Sequence, residues 1–240
     1  IWIGSSIGQI NNVDFIGNKA GGGGAIYGHH LEEISIYNSI FQENTSNIHE
    51  GGAFLINGGG NDVVYIDSTT FEANVDSTGP GGAIQLSNIA KASIKNSNFE
   101  GNKAKLNGGG ISSWDIDSLF IKNSTFDGNE STDGNGGAMT FKGDENSTLY
   151  CEIRNTTFEN NSGGWGGAIA AFEPIDMNID SVFATGNEAS GNGGFIELCC
   201  GASVSITNST IYNNETTKND LNVDGESKLT IKNSIIWKDK

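Results

Sequence analysis

The sequence predicts an all-β chain, a single-stranded, right-handed parallel β-helix of about nine coils with 25–32 residues each. Three observations predict it. A glycine pair followed by a short apolar run recurs from end to end. An aromatic or aliphatic residue with Asn three places later recurs between those copies. The residues leading into that second unit alternate apolar and polar with the period of a strand, and no segment carries the period of an amphipathic helix.

The glycine unit reads Gly23-Gly24-Ala25-Ile26, Gly51-Gly52-Ala53-Phe54, Gly81-Gly82-Ala83-Ile84 and Gly108-Gly109-Gly110-Ile111. It continues as Gly136-Gly137-Ala138-Met139, Gly166-Gly167-Ala168-Ile169 and Gly193-Gly194-Phe195-Ile196, with Asn219-Asp220-Leu221-Asn222-Val223 as a degenerate last copy. Glycine supplies backbone freedom where each coil turns into its strand.

The second unit pairs Phe15/Asn18, Phe41/Asn44, Phe71/Asn74, Phe99/Asn102, Phe126/Asn129, Phe158/Asn161, Ile211/Asn214 and Ile236/Asp239. Phe183 lies four residues before Asn187, but Ala184 as the lead residue restores the register. Five residues before each lead stands Ile10, Ile36, Ile66, Ile94, Ile121, Ile153, Ile179, Ile206 or Ile231. Seven before, the column is mostly apolar, with Cys151 among its members. Three before stands a polar column that includes Asn38, Asn96, Asn123, Asn155, Asn208 and Asn233. These offsets share a strand parity, so all three columns are expected to face inward, the Asn column as a structural ladder at a tight corner.

One coil cannot bury its own inward face. Stacked in parallel at about 4.8 Å, coils pair their backbones and like residues form ladders. The chain is therefore expected to form one solenoid domain, 1–240, or a segment of a longer array. It opens on Ile1-Trp2-Ile3 without an initiator Met and is expected to be a mature or excised segment.

Repeated Gly-Gly-Ala-Ile with Phe-x-x-Asn resembles the repeat of chlamydial-type polymorphic outer membrane proteins, from the Ile10 region to Asp239. The resemblance implies a β-helical passenger domain displayed at a cell surface and implicated in adhesion. The expected function is an extracellular structural protein, a surface stalk or fibre with adhesion as a further role. Its expected partners are further coils, copies of itself end to end, and host or environmental glycans.

A net charge of −16 argues against nucleic acid and anionic lipid as partners. No apolar stretch approaches the roughly 18–20 residues of a membrane-spanning helix. The rival class is a carbohydrate-active β-helix resembling pectate lyases and polygalacturonases, or a glycan-binding module. Its carboxylates would come from Asp115/Asp117, Asp144/Glu145 or Asp176/Asp180, its basic residue from Arg154, the single arginine. Each carboxylate pair reads better as a solvated loop, and no catalytic residue, cofactor or metal is assigned. His29 and His30 are adjacent, so they should not share a strand face as ligands, and His49 falls in another loop. Gly58-Gly59-Gly60-Asn61-Asp62 reads as a loop extension. Cys199 and Cys200 lie two coils from Cys151, too far for a bridge to it, which leaves a vicinal bridge as the alternative to free thiols.

Asn-x-Ser/Thr triplets begin at Asn44, Asn123, Asn129, Asn146, Asn155, Asn160, Asn208 and Asn214. If the Asn columns face inward, Asn146 and Asn160 are the glycosylation candidates and the other six are weaker.

Overall fold

A computed structural model describes residues 1–143, 147–172, 174–216 and 219–237. Every pairing between strands is parallel, and no helix occurs among the described residues. The strands form three sheets of 16, 9 and 8 members that run along the stack, and the nine-stranded one counts the coils. The middle coils show the plan. Ile84–Lys95 lies in the first sheet, Asn98–Glu100 in the second and Lys103–Ala104 in the third, before the next glycine turn at Gly108. In the first sheet most coils break this long strand into two arms, such as Met139–Lys142 and Leu149–Arg154.

The glycine pair meets two different demands. The first glycine has a left-handed backbone, with φ of 66° at Gly108 and 64° at Gly136. The second has no room for a side chain, since a Cβ on Gly109 would stand 2.4 Å from the carbonyl oxygen of Gly137 in the next coil. The turns thus stack backbone on backbone.

The expected columns pair in register. All nine isoleucines from Ile10 to Ile231 are mutual partners. Phe15, Phe41, Phe71, Phe99, Phe126 and Phe158 stack face to face, with ring centroids 4.6–5.1 Å apart. The column then passes through Ala184 to Ile211, which is the register expected from the displaced Phe183. The ring missing at Ala184 is supplied by another column: Phe195, where the preceding coils carry alanine or glycine, lies edge-on to Phe158 with centroids 5.8 Å apart. Cys151 sits fully buried between Leu119 and Met177. Leu221–Val223 pairs with Ile196–Cys199, so the degenerate glycine unit is a true coil.

One expectation is corrected. Asn38, Asn96, Asn123, Asn155, Asn208 and Asn233 do not face inward; all six are exposed. Each takes a left-handed φ of 47–51°, which reverses the alternation at the corner and turns the following residue into the core. That residue is usually Ser or Thr. Ser97 donates its hydroxyl to the Lys95 carbonyl (2.6 Å) and its backbone N–H to the Ser124 hydroxyl (3.3 Å). Thr69 and Val182 make the same backbone bond to Ser97 and Ser209. The corner is a buried hydroxyl column with an outer Asn column.

Candidate functional site

The buried amide ladder belongs to the Phe-x-x-Asn unit. It runs Asn18, Asn44, Asn74, Asn102, Asn129, Asn161, Asn187 and Asn214. Asn102 donates its backbone N–H (3.1 Å) and its Nδ2 (2.9 Å) to Oδ1 of Asn129, and its second amide hydrogen goes to the Phe71 carbonyl (2.9 Å). From Asn44 to Asn214 each amide is buried and saturated without water, which suits a dry polar column, while Asn18 in the first coil is exposed. The exposed Asn column forms shorter chains: Asn123 donates to Asn96 (3.0 Å) and Asn155 to Asn123 (3.3 Å), while Asn96 and Asn208 donate to Asp67 and Asp180.

This placement reorders the sequons. Asn44, Asn129 and Asn214 are fully buried, whereas Asn123, Asn155, Asn160 and Asn208 are exposed. Asn160 donates to Asp127 (2.9 Å) from the outer surface. Asn146 lies outside the described residues, as do Asp144, Glu145 and Asp239.

Among the described residues, one pair of the enzyme candidates, Arg154 and Asp180, comes side by side. Arg154 pairs with Glu152 (Nε–Oε1 2.7 Å) on the outward face of the second arm, where Asp180 is its register neighbour. Hydroxyl and amide donors from Thr207 and Asn208, with a smaller contribution from Arg154, hold the Asp180 carboxyl below its ordinary range. Asp115 and Asp117 lie in the strand Ile111–Lys122, before the second arm. His29 and His30 do come together, with ring centroids 4.1 Å apart, because a φ of 50° at His30 turns the chain back. Among the described residues no three His, Cys, Asp or Glu side chains gather as a metal site. Cys199 and Cys200 form a vicinal disulfide at a strand end. Burial pushes the Cys151 thiol far above its ordinary pKa.

A concave feature lies on the first arm. Two clefts of about 580 and 430 Å³ share Glu50, Pro80 and Leu106 and therefore adjoin along the solenoid axis. Outward strand residues make the floor: the register row Tyr27, Leu55, Gln85, Ser112 and Thr140, beside Asn57, Ser87, Trp114, Lys142 and Phe172. The turn residues Ile48, His49, Glu50, Pro80, Leu106 and Asn135 make the wall. Trp114 is half exposed, with the Lys142 ammonium 4.9 Å from its ring centre. Gln85 is buried at the floor; its Nε2 donates to Ser87 (2.9 Å), while its Oε1 has no partner among the described residues.

Behind the wall Asp76 occupies a column of small residues, between Ser46 and Ala104. Its Oδ1 accepts the N–H groups of Thr78 (2.9 Å) and Gly79 (2.5 Å), and Oδ2 has no described partner. Burial, aided by the charge of Glu50, pushes the carboxyl up to about 6 against the pull of those two donors. Burial also raises Glu50, with His49 opposing. Sequence reasoning missed the groove because its walls come from turns of different coils. Trp114, in an outward strand position, was the available signal.

Residues 12–29 and 155–171 match the model of the Chlamydia polymorphic membrane protein repeat. Both stretches run from the left-handed corner through the Phe-x-x-Asn unit and glycine turn into the next strand. No curated protein and no solved structure matches the chain. The chain thus carries β-helix repeats like those of polymorphic membrane proteins.

Proposed function

We propose that this chain is the stalk of a surface-displayed, passenger-type β-helix that adheres through saccharide bound in its axial groove. The groove carries this reading: it runs along the stack and brings the rings of Trp114 and Phe172 beside the amide of Gln85 and the hydroxyls of Ser112 and Thr140. Aromatic faces cover the C–H faces of a sugar, and amides and hydroxyls match its ring hydroxyls. The repeat match supports display at an outer membrane or cell surface. In the ninth coil Ile236 is exposed, whereas its counterparts Phe126 and Phe158 are fully buried, so a further coil or a second copy can stack on that face.

A glycan array read with the wild type, Trp114→Ala and Gln85→Ala tests the adhesive role. A wild-type signal on a defined saccharide that falls about tenfold in both variants supports it. Binding to cells or glycans that ignores both substitutions removes the groove from the account. Negative-stain microscopy across a concentration series tests stacking, for which rods lengthening with concentration are expected. Shortening of a polysaccharide on incubation would favour the enzymatic reading, with Glu50 and Asp76 as the carboxylates to substitute.

A further inference from the structure

The outward face of the second arm carries a different pattern from the groove. Lys95, Lys122 and Arg154 are register partners on three successive coils, so three cations stand in a row along the axis at about 4.8 Å spacing. Asp67 precedes the row and Asp180 follows it. In a chain of net charge −16, this is a local reversal of sign three coils long. Like charges directly opposite on paired strands repel. Arg154 is offset by Glu152, but Lys95 and Lys122 are exposed and have no ion pair among the described residues.

An aromatic shelf flanks the row. Lys91 extends its ammonium over Tyr65 and Phe120, 5.8 and 5.3 Å from their ring centres, and Phe120 lies 5.8 Å from Tyr150. A shallow cleft of about 220 Å³ lies between Lys91, Lys95, Phe120, Lys122 and Glu152. The arrangement pairs a linear array of cations along the axis with aromatic rings at its side.

We propose that this face binds an extended anionic polysaccharide, whose chain follows the solenoid axis. The carboxylates or sulfates of successive sugars meet Lys95, Lys122 and Arg154, and sugar faces lie on Phe120 and Tyr150. Binding relieves the repulsion among the three cations, which a neutral ligand cannot do. The site stands apart from the groove, so either can fail without the other.

The test is equilibrium binding of polygalacturonate and of heparin at low and high salt. The proteins are wild type, Lys95→Gln/Lys122→Gln and Lys228→Gln/Lys232→Gln. The last changes the same charge on the same sheet three coils beyond Arg154, past Asp180 and Thr207. We expect wild type to bind at least one polymer, weakening as salt rises. The Lys95/Lys122 variant should bind about tenfold more weakly and the Lys228/Lys232 variant within about twofold of wild type. Preference for polygalacturonate assigns carboxylates, and preference for heparin assigns sulfates. Binding of neither polymer, equal losses in both variants, or equally tight binding of duplex DNA would overturn the proposal. Circular dichroism and thermal melting of each variant establish that a loss is not unfolding.

Discussion

A single amide shows how strongly this architecture depends on saturated polar contacts. Asn129 accepts two donors from Asn102 and donates to the Phe99 carbonyl and to Asn161. Asn129→Ala strands these groups in a dry column, and about 2–4 kcal/mol of stability should be lost in urea unfolding. A loss no greater than that of an exposed Asn155→Ala control would show that the ladder adds little. Asp76 makes the opposite prediction. Its folded pKa of about 6 exceeds the ordinary value of 3.8, so between those values the folded chain holds a proton that the unfolded chain releases. Stability from this group is present below the lower value and is lost as pH rises through the upper one. Asp76→Asn keeps an Oδ1 for Thr78 and Gly79, removes the charge, and should stabilise the protein at pH 7.5 by on the order of 1 kcal/mol. The variant's stability should also vary less between pH 4 and 7.5, with Glu50 leaving a shallow residual slope. An unchanged slope would remove Asp76 from that account.

Within an element, what could be read from sequence depended on whether a rule repeats in one column or couples two. The isoleucine and phenylalanine columns were legible because a strand of fixed register shows the same residue once per coil. The parity error at the corner had a physical cause: a left-handed residue such as Asn123 leaves no hydropathic trace when it and Ser124 are both polar. The exchange between Ala184 and Phe195 was equally hidden, since nothing in either column says that both adjoin Phe158. Phe195→Ala should leave a cavity beside Phe158 and cost about 3–5 kcal/mol. Ala184→Phe alone should overpack the same space. The double variant, which restores the regular repeat, should regain more than half of the loss in thermal unfolding. Additive losses in the double variant would mean the two columns do not share that volume.

Across the whole molecule, tertiary contacts join strands of successive coils, so cohesion passes from neighbour to neighbour along one core that runs the length of the stack. This explains why a chain with 35% hydrophobic residues can fold: each inward residue is covered by its counterparts above and below, and backbone pairing carries the rest. It also predicts that damage stays local. A Cβ at Gly137 would lie 2.3 Å from the Gly167 carbonyl oxygen and 2.4 Å from the Ser162 nitrogen, so Gly137→Ala must push adjacent coils away from each other. The substitution should cost about 1–3 kcal/mol. Hydrogen exchange should quicken in Met139–Lys142 and Ile169–Phe172, which flank the opened contact, while Phe54–Asn57 keeps its protection. Urea unfolding should then separate into two transitions, one for the coils on each side. A uniform loss of protection through all strands, with a single sharp transition, would instead mean that the phenylalanine stack and the amide ladder couple the coils too tightly for nearest-neighbour behaviour. The Asn ladder favours the local outcome, because each amide bonds only to the coils adjoining its own.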